Sequence, residues 1–171
     1  ITLMNTGATI IPFGGNSLNG IQMKNINDMI NDFNVNVLFG VPSTIVSVAK
    51  YLKNHNDICN KITKVFCLGE KMYNDTYTFL KDTFKNCAIK TKYGCMESAG
   101  IGYQCETLET NSYHIFNNRF VEILDQDSNK NLEIGQKGRI VVTTLDKRLI
   151  PLLRYDTGDV GYLEYSDCSC G

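Results

Sequence analysis

Up to about residue 95, short apolar runs alternate with stripes of apolar residues at helical spacing. The runs cover residues 9–13, 35–39, 64–68 and 88–93, and such continuous runs are typical of strands buried on both faces. Three helical stripes lie between them: Leu18, Ile21, Ile26, Met29, Ile30 and Phe33; Ile45, Val48, Ala49 and Leu52; and Tyr73, Tyr77, Leu80 and Phe84, the last with Asn74 or Asp75 as its N-cap. This alternation predicts a parallel βαβ sheet.

From about residue 100 the pattern changes to strand-like segments without helical stripes between them. These segments cover residues 119–124, 138–145, 149–155 and 160–165, with polar turns at 125–131 and 146–148. They predict a small antiparallel sheet or barrel. The expected fold class is therefore α/β, with a parallel part over residues 1–100 and a β-rich part over residues 101–171.

Charge and cysteine usage narrow the function classes. The net charge of −1 is dispersed and gives no footprint for nucleic acid, and no run approaches the ~20 apolar residues of a membrane span. Several of the seven cysteines lie in apolar runs, as Cys67 does, which is typical of buried thiols in a reducing cytoplasm. The chain starts at Ile1 without a methionine, and we expect it to be a piece of a longer protein.

Candidate binding residues follow the strands of the first part. The strands end in glycine at Gly40, Gly69 and Gly94. Ligands bind at the carboxyl ends of parallel strands, where glycine lets the backbone approach them, although glycine also simply eases a strand into a helix. Glu70 and Glu97 lie just beyond these ends and could take Mg²⁺, and Tyr93 offers a face for stacking on a heterocycle.

A second candidate segment is Leu-Arg-Tyr-Asp-Thr-Gly-Asp at residues 153–159, which places an arginine and two carboxylates around a Thr-Gly turn. A carboxylate fixed there can accept two hydrogen bonds from a ribose diol, but the same residues also make an ordinary turn. The chain has no Gly-rich Lys loop, no Gly-x-Gly-x-x-Gly after a strand and no evident Ser/His/Asp set.

Four scattered residues form a possible structural zinc site: Cys105, His114, Cys168 and Cys170. Three thiolates and an imidazole are a usual ligand set for zinc, and a closed site of this kind would clamp the end of the chain onto the domain. The alternative is that the cysteines only pack and that His114 is a strand-edge residue.

Taken together, these motifs resemble the acyl-adenylate-forming superfamily, and most of all its phenylacetate–CoA ligase branch. The motifs Gly-Glu-Lys at 69–71, Tyr-Gly-Cys-Met-Glu at 93–97, the strand at 138–145, the 153–159 segment and Cys-Ser-Cys-Gly at 168–171 stand in the family's order. The resemblance implies that ATP activates a carboxylic acid as an acyl-adenylate, which coenzyme A thiol then attacks. A homodimer is one assembly that the sequence leaves open.

The resemblance also implies roles for individual residues. Tyr93 with Gly94 would flank the adenine, Gly69 and Glu70 would border its pocket, and Asp159 would take the ribose hydroxyls. Glu97 would bind Mg²⁺, and Arg154 would lie near the ribose and the phosphates, so these two are the expected catalytic residues. Some relatives in this branch look as though they bind zinc with residues placed as the four candidate zinc ligands are.

Three residues depart from the family pattern: Met96 where Ser or Thr is usual, Arg139 where Glu is common, and Asp156 where Arg or Lys is frequent. Because of these departures, a non-catalytic nucleotide-binding module remains an alternative function. An adenylating enzyme that uses an acceptor other than coenzyme A is a further alternative. An α/β hydrolase or reductase is the weakest alternative, because its characteristic loop is missing. The phosphate loop and the C-terminal lid of the family are not in this sequence, so the piece alone should not catalyse.

Overall fold

The computed structural model describes residues 7–13, 20–146 and 149–170. Its helices and strands, in chain order, are α1 (Gly20–Asp32), β1 (Val37–Gly40), α2 (Pro42–Leu52), α3 (Asn56–Cys59), β2 (Lys64–Leu68), α4 (Asn74–Thr83), β3 (Ala88–Cys95), β4 (Ala99–Tyr103), β5 (His114–Ile115), β6 (Arg119–Leu124), β7 (Gly138–Thr144) and β8 (Tyr155–Gly161). This α/β architecture, a sheet with parallel strands followed by a small antiparallel sheet, confirms the expected fold class.

The first sheet has five strands in the order β1-β2-β3-β4-β5. The strands β1, β2 and β3 pair in parallel through α2 and α4, because each connecting helix returns the chain to the same end of the sheet. β4 and β5 then extend the sheet antiparallel. The first sheet therefore runs on to Ile115, past residue 100, and the division into two parts near residue 100 stays a prediction.

The hydrophobic core lies between the helices and one face of the parallel strands. Along β2, Val65 and Cys67 are buried, whereas Phe66 and Leu68 on the other face are only half-buried. The helices supply Leu52 from α2 and Leu80 from α4 to the same cluster. The strands were expected to be buried on both faces, and β2 differs from that expectation because the helical cover lies on one side. Burial raises the pKa of the Cys67 thiol to about 12, so it behaves as a packing group.

The second sheet consists of β6, β7 and β8, all antiparallel. Two of the predicted strands are correct here within one residue, and two are wrong. The segments 149–155 and 160–165 are not separate strands, because one strand, β8, covers residues 155–161 and includes the interval expected to separate them. Arg154 has a φ of 50°, a left-handed conformation that ends the extended chain before β8 begins, and Leu149 and Leu153 are exposed.

Two other local predictions are wrong. Residues 9–13 form no strand: Pro12 offers no amide to a ladder, and Ile10 and Phe13 remain exposed. The N-cap of α4 is Tyr73, with Asn74 and Asp75 already inside the first turn. Leu18 lies outside the described residues. Among the helices of the described ranges, none is both long and apolar enough to cross a membrane.

Candidate active site

The central contact of the candidate site joins the two sheets. The Tyr93 hydroxyl, from β3, donates a hydrogen bond of 2.8 Å to Asp159 Oδ2 on β8 and lies 3.2 Å from Thr157 Oγ1. The Tyr93 ring stacks on Tyr113 with centroids 5.7 Å apart. Burial raises the pKa of Tyr93, so its hydroxyl stays protonated and donates to the carboxylate at neutral pH.

A bulge in β8 presents Asp159 to Tyr93. The register pairs Arg139 with Val160 and Val141 with Asp156, which leaves the three residues 157–159 of β8 opposite Ile140 alone. Gly158 lies within the bulge and has a φ of 76°, a left-handed conformation that glycine adopts without strain. Thr157 Oγ1 closes the bulge by donating to the Ile140 carbonyl (3.0 Å) and accepting from the Asp159 amide (3.2 Å).

Glu97 lies at the tip of the β3–β4 hairpin, where it is exposed. The hairpin closes tightly, because a Cβ at Gly94 would lie 2.1 Å from the Ala99 carbonyl oxygen, a distance that only glycine permits. A hydrogen bond from its own amide, followed by bonds from Cys95 and Tyr155, lowers the pKa of Glu97. Its carboxylate is therefore ionised at neutral pH, as a Mg²⁺ ligand must be.

Arg119, the first residue of β6, ties this hairpin to the second sheet. Its side chain is 4% exposed, and its guanidinium donates to the Ser98 carbonyl at 3.0 Å, to the Asn118 carbonyl at 2.8 Å and to Asp146 Oδ1 at 3.1 Å. Ser98 is fully buried, so its carbonyl has no water to replace Arg119. Arg119 thus fixes the backbone directly after Glu97.

Replacing Arg119 by methionine should destabilise the protein. The variant keeps much of the side-chain volume but leaves the buried Ser98 carbonyl without its donor, and we expect a loss of about 2–3 kcal/mol in the free energy of unfolding. Urea denaturation measures this loss. Lys85→Met, at an exposed lysine, is the matched control and should change stability by less than about 0.5 kcal/mol. Equal stability of the two variants would contradict the proposed anchoring.

The remaining nucleotide-site candidates are placed differently. Gly69 follows β2 with a φ of 81°, and Glu70 accepts hydrogen bonds from the Ser43 amide (3.0 Å) and hydroxyl (2.8 Å) at the start of α2. Glu70 therefore caps a helix at the carboxyl end of the parallel strands. Arg154 Nε donates to Glu122 on β6 at 3.2 Å.

The four metal-site candidates come together in space. Their ligand atoms all lie within 4.8 Å of one another. Cys168 Sγ is 3.5 Å from Cys105 Sγ and 3.3 Å from Cys170 Sγ, and Cys170 Sγ is 3.2 Å from His114 Nε2. Tetrahedral ligands at the usual Zn–S length would be separated by about 3.8 Å, so this cluster fits a zinc ion with little rearrangement.

Hydrogen bonds favour the thiolate, the form that binds metal, at Cys105 and Cys168, whereas the hydrogen bond with Cys168 raises the pKa of Cys170 to about 12. The Thr107 hydroxyl is the main cause that lowers the pKa of Cys105 to about 5, and it also lowers the pKa of Cys168. Lys90 Nζ donates to the Cys105 carbonyl at 2.8 Å and fixes the backbone there.

The geometry brings together Tyr93, Asp159 and the Glu97 hairpin, and separately the four cysteine and histidine ligands. The sequence reasoning gave no role to three residues that shape the site: Thr157, Tyr113 and Tyr155. A hydroxyl residue next to Gly in a turn is a recognisable signal for Thr157. Nothing local to Tyr113 or Tyr155 indicates their contacts.

A comparison with protein family models shows which family the chain belongs to. A family model for AMP-binding enzymes matches residues 1–145. The chain belongs to the AMP-binding enzyme family. This membership confirms the resemblance found in the motifs.

Individual relatives agree with this membership. The chain is 30% identical over 170 residues to a phenylacetate-coenzyme A ligase of Thermus thermophilus, covering 96% of this chain and 37% of that protein. It is 29% identical over 167 residues to the indoleacetate–lysine synthetase of Pseudomonas savastanoi, covering 95% and 38%. The chain thus spans little more than a third of these relatives.

Solved structures share the fold. A 2-hydroxyisobutyryl-CoA ligase in complex with 2-HIB-AMP and CoA superposes with a TM-score of 0.74 at 16% identity, over 88% of this chain and 33% of that one. A luciferase-like enzyme from Zophobas morio gives a TM-score of 0.66 at 18% identity, over 89% and 39%. At these identities the likeness concerns the fold alone.

Proposed function

We propose that the protein carrying this chain is an AMP-forming acid–thiol ligase. ATP would adenylate a carboxylic acid with release of pyrophosphate, and the thiol of coenzyme A would displace AMP. The observation that carries the proposal is the contact between Tyr93 and Asp159, because it holds an aromatic face and a carboxylate together at the carboxyl edge of the sheet. Family membership and the named ligase relatives support it.

The chain would supply much of the nucleotide site. Tyr93, with Gly94 beside it, would flank the adenine, and the loop of Gly69 and Glu70 would border it. Asp159 would accept hydrogen bonds from the ribose hydroxyls, since its side chain is exposed and the bulge fixes its backbone. Arg154 is paired with Glu122. It would reach the phosphates only by leaving or sharing that partner.

Glu97 would hold Mg²⁺ at the phosphates. Its carboxylate is exposed, ionised and carried on a hairpin tip that Arg119 anchors. A hard cation that neutralises phosphate charge prefers such an oxygen ligand and keeps most of its other positions for water and phosphate.

We assign the second cofactor, zinc, to Cys105, His114, Cys168 and Cys170. Four protein ligands would leave no open position for water, so the metal would serve folding rather than catalysis. The site would join the segment after β4 and strand β5 to the end of the chain. The small size of the β-rich part, with its thin core, makes such a staple useful.

The acceptor is the less constrained half of the reaction. The indoleacetate–lysine synthetase is almost as similar to this chain as the phenylacetate-coenzyme A ligase. An amine acceptor is therefore the second candidate. Supplying the full protein with ATP, an acid and either coenzyme A or lysine distinguishes the two, because mass spectrometry identifies the product as a thioester or an amide.

ATP–pyrophosphate exchange tests the adenylation step in the full protein. We expect at least one acid in a panel of aromatic, aliphatic and amino acids to drive exchange of labelled pyrophosphate into ATP. The reaction needs no acceptor, so the result does not depend on the thiol. If AMP binds in calorimetry and no acid drives exchange, the protein is instead a non-catalytic nucleotide-binding module, as the departures at Met96, Arg139 and Asp156 allow.

Assembly and location remain predictions. A homodimer is tested by light scattering of the purified protein. The free, buried thiols of Cys59, Cys67 and Cys87 support the proposal of a reducing, cytoplasmic location.

A further inference from the structure

Arg139 and Asp156, two of the three departures from the family pattern, are partners. The Arg139 guanidinium forms an ion pair with Asp156 Oδ2 across β7 and β8. The side chains are 25% and 40% exposed, so the pair is partly shielded from solvent. The two departures therefore form one interaction rather than two independent losses.

Arg139 is held from its other side by the β6–β7 turn. It donates to the Asp125 carbonyl (3.1 Å), to the Ser128 carbonyl (3.0 Å) and to Asn129 Oδ1 (3.2 Å). That turn is itself closed, because Asp125 Oδ1 accepts from the Ser128 amide at 3.0 Å and from its hydroxyl at 2.9 Å. A guanidinium with this many acceptors has one defined position.

Asp156 connects Arg139 to the backbone of the bulge. While one carboxylate oxygen is held by Arg139, Oδ1 accepts a hydrogen bond of 3.0 Å from the Gly158 amide. The hydrogen bond that the Gly158 amide donates and the contact with Arg139 together lower the pKa of Asp156, which keeps its carboxyl group ionised. Gly158 precedes Asp159 directly, so the Asp156 carboxylate fixes the backbone that presents Asp159 to Tyr93.

We infer that Arg139 is a positioning residue for nucleotide binding, acting through Asp156 on the bulge that carries Asp159. The inference rests on the proposed function for its effect on the nucleotide. The alternative is that the pair only adds stability to the second sheet. The two differ in a measurable way, because positioning changes nucleotide affinity in a fully folded protein and changes the dynamics of the Gly158 amide.

A double-mutant cycle tests this relation in the full protein with AMP as the probe. Arg139→Met and Asp156→Ala should each weaken AMP binding about fivefold in calorimetry, and the double variant should bind no more weakly than Asp156→Ala alone. Arg139→Lys, which keeps the charge but not the fork of donors, should lie between Arg139→Met and the wild type. Lys137→Met, an exposed residue just before β7, is the control and should bind as the wild type does.

Hydrogen exchange of the Gly158 amide provides a readout that needs no nucleotide. We expect it to be about threefold or more faster in Arg139→Met and in Asp156→Ala than in the Lys137→Met control. If the wild type shows neither AMP binding nor pyrophosphate exchange, the proposed function fails, while this amide still tests Arg139. Wild-type exchange at Gly158 in Arg139→Met overturns the inference. The inference also fails if the losses in AMP affinity of the two single variants multiply in the double variant. It fails as well if the loss of affinity merely follows a lowered melting temperature.

Discussion

Replacing both Cys168 and Cys170 by serine is expected to remove one zinc ion per chain and to release the end of the chain. The wild-type protein should contain about one zinc, because four ligand atoms within 4.8 Å of one another are close enough to surround a zinc ion tetrahedrally. Loss of the metal should cost about 3 kcal/mol in folding free energy and lower the melting temperature by roughly 6–12 °C. Elemental analysis and calorimetric melting measure the two effects.

Controls separate metal binding from simple loss of a thiol. Cys87→Ser, at a buried cysteine outside the cluster, should keep the zinc even if it melts earlier. A chelator should lower the melting temperature of the wild type and of Cys87→Ser but leave the double serine variant unchanged. Zinc-free wild-type protein that melts at the same temperature with and without chelator would mean that the cysteines only pack.

Replacing Asp159 by asparagine is expected to weaken AMP binding by roughly 30- to 100-fold. Asparagine has nearly the same shape but no charge and only one accepting oxygen, so one of two charge-assisted bonds to the ribose diol is lost and the other is weakened. Such bonds are worth about 1.5–3 kcal/mol each, and a 30- to 100-fold loss in affinity corresponds to about 2.0–2.7 kcal/mol, which lies inside that range. Calorimetry with AMP measures the effect, and pyrophosphate exchange should fall with it.

Two comparisons make this result specific. Asp82→Asn is the same change at an exposed position on α4 and should leave AMP affinity unaltered. 2′,3′-Dideoxy-AMP lacks the ribose hydroxyls and should bind the wild type and Asp159→Asn equally. A large preference of Asp159→Asn for AMP over the dideoxy analogue would place the ribose contact elsewhere in the protein.

The sequence by itself determined the local elements of the parallel half. Apolar runs and helical stripes report which side of the backbone is buried, and burial follows local spacing because helices and strands have fixed periods. Hence three of the four predicted strands and all three predicted helices of that half are present, whereas the short helix α3 was not predicted. The run at 9–13 satisfied the same rule and failed, since a strand also needs a neighbour to pair with, which local spacing does not reveal.

The motif order likewise determined the family, and with it the roles expected of Tyr93, Glu97 and Asp159. It did not determine what these residues touch. Tyr93 and Asp159 are 66 positions apart, and they meet only because a bulge of β8 faces the end of β3. Whether three residues stand opposite one in a strand pair depends on the register, and composition leaves the register open.

Only the tertiary structure decided that the four candidate zinc ligands lie together and that two of the departures from the family pattern are partners. Cys105 and Cys168 are 63 positions apart, and their sulfur atoms lie 3.5 Å from each other because the chain after β8 returns to the far edge of the first sheet. Arg139 and Asp156, two unexplained substitutions in the sequence, are neighbours on paired strands and neutralise each other. Side-chain partners over such separations are set by how sheets and loops pack, whereas the sequence specifies directly only which segments are buried.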